Sequence, residues 1–203
     1  MAPIIVNMFC ALDGVVDPGV GSWHFPYFNE EMGAAVERTH DADVMLFGRV
    51  TYDSFAGAWP EREQAGGDDA AMAKHLGDVR KIVVSRSPLT FTWRNSEQLH
   101  GELVPGVKEL KADPSINRIA ISGCVSIVRQ LLQAGLVDEL HLLVHPATAG
   151  SGLRLFDDSV PPLDLKLLES TAFRTGVLHL VYGPDPNPPT GGYEEAVANL
   201  NDD

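Results

Sequence analysis

Between Ile119 and Gln133 the chain changes character within two residues. A short β-branched run, Ile119 to Ile121, breaks at Ser122-Gly123 and passes at once into a stretch with Val125, Val128, Leu131 and Leu132 at helical spacing, stopped at Gly135. A strand that turns directly into a helix is the repeating unit of an open α/β sheet. Glycine at such a junction lets backbone N–H groups approach a ligand closely, and the helix start adds dipole and unpaired donors. Ligands of open α/β sheets bind beyond the carboxyl ends of the strands, where this junction lies. It predicts both the architecture and a seat for phosphate.

The rest of the chain alternates in the same way. Ile4 to Phe9 predicts a first strand, stopped by Leu12-Asp13-Gly14. Residues 15 to 28 read as an irregular stretch carrying Gly19, Gly21, Trp23, Phe25 and Pro26. Asn29 caps a helix running to about His40, Val44 to Phe47 is a buried strand, and Gly48 opens a short helix with Val50, Tyr52 and Phe55. Residues 57 to 67 read as loop, and Asp68 or Asp69 starts a further helix closed by Gly77. Lys81 to Ser85 is a third strand, Ser96 to Leu99 a weaker one, and Pro105 to Ala112 a helix. Glu139 to His145 alternates, with Leu140, Leu142 and Val144 on one side and Glu139, His141 and His145 on the other. Leu163 to Glu169 and Val177 to Tyr182 predict two antiparallel strands. The expectation is one domain over residues 1–183 and a Pro/Gly-rich acidic tail over 184–203 that builds no core, mobile or packed on a partner.

Composition removes several classes of function. Fifteen Lys and Arg against 28 Asp and Glu give a formal charge of −13, which repels a phosphate backbone, so no nucleic-acid partner is expected. Two distant cysteines and no secretion signal point to a reducing cytoplasm rather than a disulfide framework. The N-terminus meets Asp13 early and is neither signal peptide nor membrane span. His141 and His145, four apart in a strand, stand about 13 Å from one another. They cannot form a metal site alone, and no other His/Cys cluster has ligand spacing, so no metal is expected.

The chain resembles the dihydrofolate-reductase-like family. It is closest to the reductase domain at the C-terminal end of bifunctional riboflavin-biosynthesis deaminase–reductases and to its stand-alone relatives. The motifs that carry the resemblance are Leu12-Asp13-Gly14, Trp23-His24-Phe25-Pro26-Tyr27, Leu46 through Tyr52, Val83-Val84-Ser85-Arg86, Ile121-Ser122-Gly123-Cys124, Gly135 through Leu140, and Pro146 through Gly150-Ser151-Gly152 to Leu155-Phe156. They occur in the family's order across roughly residues 4 to 182. The resemblance implies a three-layer α/β fold with a mostly parallel, eight-stranded central sheet, an antiparallel final strand and flanking helices. It also implies NADPH as cofactor and a homodimer. In one place the chain departs from the family, which commonly has a second glycine where Cys124 stands. A Cβ there resists positive φ, so the cofactor is expected to bind less tightly or with its diphosphate displaced.

Candidate site residues follow from both sources. Gly48, Arg49 and Thr51 form a second strand-to-helix junction, with backbone donors for phosphate and a cation for the adenosine side. Ser122, Gly123, Cys124, Val125 and Ser126 form the first. Ser85, Arg86 and Ser87 suit an extra monophosphate, because a guanidinium offers a planar fork of donors. Asp13 is the acidic group expected nearest the nicotinamide, and no acid matches the proton donor of the folate-reducing branch. Trp23, Phe25 and Tyr52 are candidates for an aromatic wall against a flat heterocycle, with Gly150 and Ser151 at its rim. Each has a plainer reading as turn, cap or core. The expectation is a cytoplasmic reductase passing hydride from NADPH to a small planar heterocycle of the pterin or ribosylamino-pyrimidine class. Its rival is a non-catalytic nucleotide-binding or ligand-sensing module on the same fold.

Overall fold

A computed structural model describes residues 1–16 and 23–193, so Gly19, Gly21 and the last ten residues of the acidic tail lie outside the described residues. The predicted alternation becomes one eight-stranded sheet. Its strands are β1 (Ile4–Ala11), β2 (Val44–Gly48), β3 (Arg80–Val84), β4 (Ser96–Gln98), β5 (Ile119–Ser122), β6 (Glu139–His145), β7 (Leu165–Ala172) and β8 (Leu178–Pro184). The spatial order is β4-β3-β2-β5-β1-β6-β8-β7. All neighbouring pairs from β4 to β6 are parallel, and β8 runs antiparallel to both β6 and β7. The carboxyl ends of β3, β2, β5, β1 and β6 therefore lie in one row.

The strands in the middle are apolar on both faces, as strands covered on both sides must be. Ile4, Val6, Met8, Val44, Leu46, Ile119 and Ile121 pack with Val107 of α4 (Leu103–Ala112) and with Ile127, Val128 and Leu131 of α5 (Val125–Gln133). On the other face, Met45, Phe47 and Val83 meet α2 (Arg49–Ala65) and α3 (Ala70–Asp78), while Leu143 meets Met32 and Ala35 of α1 (Glu30–His40). Asn29 caps α1 as its sequence predicts, its side chain accepting from the Met32 amide at 3.0 Å.

Two expectations are corrected. Residues 57 to 67, read as loop, belong mostly to α2, which continues through Pro60 to Ala65 and stops where Gly66 and Gly67 take φ of 71° and 95°. Proline forfeits one helical hydrogen bond. The turn survives because Phe55 and Trp59 anchor it to the core, the Phe55 ring 5.2 Å from that of Phe47. The C-terminal hairpin is also longer and later than its pattern, spanning 165–172 and 178–184 with an irregularity between Leu167 and Glu169. Among the described residues no helix is long and apolar enough to cross a membrane.

Candidate active site

Because β2 pairs with β5, the two strand-to-helix junctions of the sequence stand side by side. A Cβ on Gly48 would lie 3.7 Å from the Cys124 thiol, and one on Gly123 would lie 3.9 Å from the Thr51 methyl. Gly123 has φ 69°, as a glycine turn requires. Cys124 follows it into the left-handed region, with φ 62° and ψ 53°, a conformation that costs a residue with a Cβ about 1–2 kcal/mol. Cys124 therefore adopts, at the expense of strain, a backbone conformation that glycine takes freely.

The amides of the two glycines are not the ones open to a ligand. Gly48 N donates to the Cys124 sulfur at 3.1 Å, and Gly123 N donates to the Asn7 carbonyl at 3.1 Å. Thr51 also hydrogen-bonds the thiol, and burial pushes that thiol's pKa up, so it is a packed acceptor and not a nucleophile. What remains for an anion is the first turn of each helix, since neither α2 nor α5 carries a side-chain cap. The first amides of a helix have no helical acceptor. The Val125 side chain is buried, so only its backbone can face a ligand, whereas Ser126 is exposed.

Beside this seat, the register of Gly48 with Val84 brings Ser85, Arg86 and Ser87 to the end of β3. The Ser85 hydroxyl donates to the Ser87 carbonyl at 2.9 Å and accepts from its amide at 3.2 Å. Gln98 donates to both carbonyls at 3.0 Å. The Ser85 hydroxyl thus shapes the turn, and the turn presents Arg86. That guanidinium is exposed and makes no ion pair among the described residues. Arg49 pairs with Asp53 at 3.5 Å with both groups more than half exposed, a contact worth little.

At the other end of the row the surroundings become aromatic. Trp23, His24, Phe25 and Tyr27 fold over the ends of β1 and β6, where they meet Phe9 and His145. His24 stacks on Phe9 at 5.1 Å, and Trp23 stands edge-on to His145 at 5.0 Å. Trp23 is half-buried and Phe25 is 65% exposed, as pocket and rim residues would be. Tyr52 does not join them. Its ring is buried among Phe47, Phe91 and Trp93 in the separate core beneath α2, so its place in an aromatic wall is withdrawn.

Asp13 lies on the loop after β1, but its carboxylate is engaged. It accepts from Gly150 N at 2.7 Å and Ala149 N at 3.3 Å, and these bonds, Gly150's first, hold its pKa below the usual carboxylate range. A carboxylate kept ionised is a poor proton donor near neutral pH. Its geometry is that of a tie between the β1 and β6 loops, reinforced by Arg154 donating to the Asp13 carbonyl at 3.0 Å. Gly150 and Ser151 are exposed at the rim of that loop.

His145 escaped the sequence reading as a site residue, and His24, a loop histidine able to exchange a proton near pH 7 but expected to be exposed, proves buried. Both are buried, and burial lowers both pKa values, so the two imidazoles are neutral at neutral pH. The available signal was a histidine at the carboxyl end of an alternating strand, directly before Pro146.

Comparison with known proteins bears on the family and the fold. The family described as RibD C-terminal domain matches residues 2–179. An uncharacterized protein of Bacillus subtilis, YyaP, is 27% identical over 179 residues, covering 88% of this chain and 93% of its own. Among solved structures, a Shewanella sp. PV-4 protein assigned provisionally to riboflavin biosynthesis has a TM-score of 0.69 at 20% identity, covering 91% of this chain and 99% of the other. A deaminase/5-amino-6-(5-phosphoribosylamino)uracil reductase of Thermotoga maritima has a TM-score of 0.64 at 15% identity, covering 91% of this chain and 57% of that longer one. At those identities the structural likenesses establish the fold.

Proposed function

Since the chain belongs to the RibD C-terminal domain family, which supports a reductase, we propose that it is an NADPH-dependent enzyme passing hydride to a small planar heterocycle of the pterin or ribosylamino-pyrimidine class. The observation that carries this reading is the sequence of environments along one row of strand ends. A guanidinium at β3 with no ion pair among the described residues is followed by two uncapped helix starts at β2 and β5, and then by an aromatic nest at β1 and β6. Four strand spacings separate the ends of that row, about 19 Å, which suits an extended dinucleotide.

In this arrangement Arg86 meets the extra phosphate of the phosphorylated dinucleotide, as a forked donor set does. The first turns of α2 and α5 hold the diphosphate through amides of Arg49, Val50, Thr51, Val125 and Ser126. Bound nicotinamide supplies the hydride. The protein's part is to set the acceptor's carbon against it and keep water away, a role for Trp23, Phe25 and the loop tied by Asp13. Proton delivery stays with solvent, because the nearby carboxylate is held ionised.

The strongly acidic chain favours acceptors of low negative charge over a substrate phosphate. The leucines of the C-terminal hairpin, Leu167, Leu168 and Leu178, are each more than 40% exposed and support a homodimer, which light scattering tests. Two free cysteines, Cys10 buried and Cys124 half-buried, suit a reducing cytoplasm.

One observation favours a second reading, a binding module without turnover. The glycine amide that a diphosphate would use at β2 is taken by Cys124. Mixing the protein with NADPH and a panel of pterins and pyrimidines, and following loss of cofactor absorbance, separates the two. Oxidation with any member supports the reductase. Cofactor binding with no oxidation across the panel supports the module, and absence of binding to NADPH refutes both.

A further inference from the structure

The aromatic nest holds three ring nitrogens whose hydrogen bonds go unmade. Trp23 Nε1, His24 Nδ1 and His145 Nε2 are all buried and have no partner among the described residues. Their rings neighbour one another, with centroids 5.0 Å apart for Trp23 and His145, 5.3 Å for Trp23 and His24, and 6.4 Å for His24 and His145. A buried polar atom without a partner is uncommon, and three in one cluster at the mouth of a parallel sheet point to a ligand that completes them.

The chemistry of His145 is fixed by its other nitrogen. Nδ1 stands 2.7 Å from the Leu143 carbonyl and 3.4 Å from that of Cys10. A carbonyl can only accept, so Nδ1 carries the proton and Nε2 is a bare acceptor. The ring is fully buried, with Phe9, Trp23, His24 and Tyr27 around it at 5.0–6.4 Å, which leaves little freedom to reorient. The Trp23 indole can only donate. One fixed acceptor and one fixed donor thus stand in adjacent rings.

We infer that His145 and Trp23 determine the specificity of the hydride-acceptor site, Nε2 accepting from an N–H or O–H of the ligand while the indole N–H donates to an acceptor atom beside it. The ligand class is a neutral, flat group that carries a donor next to an acceptor. Depressed basicity of both histidines, from burial first, keeps the pair uncharged and fits a neutral partner. This inference rests on the reductase reading for the identity of the site, but its test is a binding measurement.

Pterin, whose ring N3–H adjoins a carbonyl, and 3-methylpterin, in which that hydrogen is replaced, are the probes. Fluorescence titration of the wild-type protein should give at least about tenfold tighter binding of pterin, because the methylated form leaves a buried acceptor unmatched. His145→Phe should bind the two alike, and Trp23→Phe should weaken pterin about tenfold, with NADPH affinity and melting temperature reporting that each variant retains its fold. His145→Gln provides a second removal of the imidazole if the phenylalanine variant does not fold. Wild-type protein that ignores the methyl group or does not bind pterin overturns the inference, as does discrimination that survives in folded His145 variants. NADPH oxidation with discrimination independent of His145 sinks this inference alone. Discrimination lost with His145 but no oxidation of NADPH sinks the reductase reading alone.

Discussion

The Gly48 amide donates to the Cys124 thiol at 3.1 Å across 76 positions of chain, joining the two strand-to-helix junctions. The bond gives a strained residue a purpose. Cys124 keeps a left-handed backbone that glycine would adopt freely, and its sulfur satisfies an amide that would otherwise await a ligand.

Replacing the cysteine separates these effects. Cys124→Gly removes the strain and frees the amide. NADPH should then bind about fivefold more tightly, the worth of one hydrogen bond of about 1 kcal/mol, with little change in melting temperature. Cys124→Ala frees the amide but keeps the left-handed Cβ, so affinity should rise while stability falls. Isothermal titration calorimetry and thermal unfolding measure the two quantities. Affinity that drops in both variants would mean that the thiol itself supports the cofactor.

Arg86 is the residue that should set the preference between phosphorylated and plain dinucleotide. Its exposure and lack of an ion pair among the described residues leave it ready for a phosphate monoester. Arg86→Ala should weaken NADPH by about tenfold and leave NADH unchanged, since a charge-assisted hydrogen bond contributes about 1.5–3 kcal/mol. The ratio of the two dissociation constants is the readout. An unchanged ratio in the variant removes the assignment.

Asp13 should behave as a tether and not as an acid. Asp13→Asn keeps an oxygen to accept from Gly150, so it should retain most of the turnover. Asp13→Ala releases the β6 loop and should lose about ten- to a hundredfold through misplacement of the pocket rim. The lowered pKa is a stabilising contribution present above the ordinary carboxylate value and lost as pH falls through the lower folded value. A catalytic acid would show no such gap, with the asparagine variant as inactive as alanine. Steady-state kinetics of the two variants decide between the roles.

How much of this was legible depends on how far apart in sequence the cooperating residues lie. The two junctions could be read because strand, glycine and helix follow within a few positions, and strand order then placed them together. The helix through Pro60 could not, because its warrant is the packing of Phe55 and Trp59 on a strand that local pattern does not see. Tyr52 was misplaced for a related reason: an aromatic one turn into a helix can face the ligand or the core, and only Phe91 and Trp93 from another segment decide. The nest around His145 is the furthest case. Phe9, Trp23, His24, Tyr27 and His145 come from β1, the loop before α1 and the end of β6, and no spacing connects them. Likewise, nothing in Asp13-Gly14 announces that the carboxylate is held by Gly150, 137 residues away.

Acid should destabilise the fold through histidines that are buried uncharged. His40 is 5% exposed, neither of its ring nitrogens has a partner among the described residues, and burial followed by the nearby His75 lowers its pKa from 6.5 to about 4. His179, 1% exposed and hydrogen-bonded to His141 at 3.0 Å, is lowered to about 4 by burial and then by His141. A lowered basic group binds its proton more readily in the unfolded chain. Stability is therefore full above about pH 6.5, falls as pH drops toward 4, and levels off below. The lowering at His40 corresponds to about 3 kcal/mol. Urea unfolding at about pH 7 and about pH 5 should show the loss, and His40→Leu, which removes two unpartnered polar atoms, should be at least as stable at neutral pH and less sensitive to acid. Equal pH dependence in wild type and variant would place the acid-sensitive group elsewhere, with His179 next to be substituted.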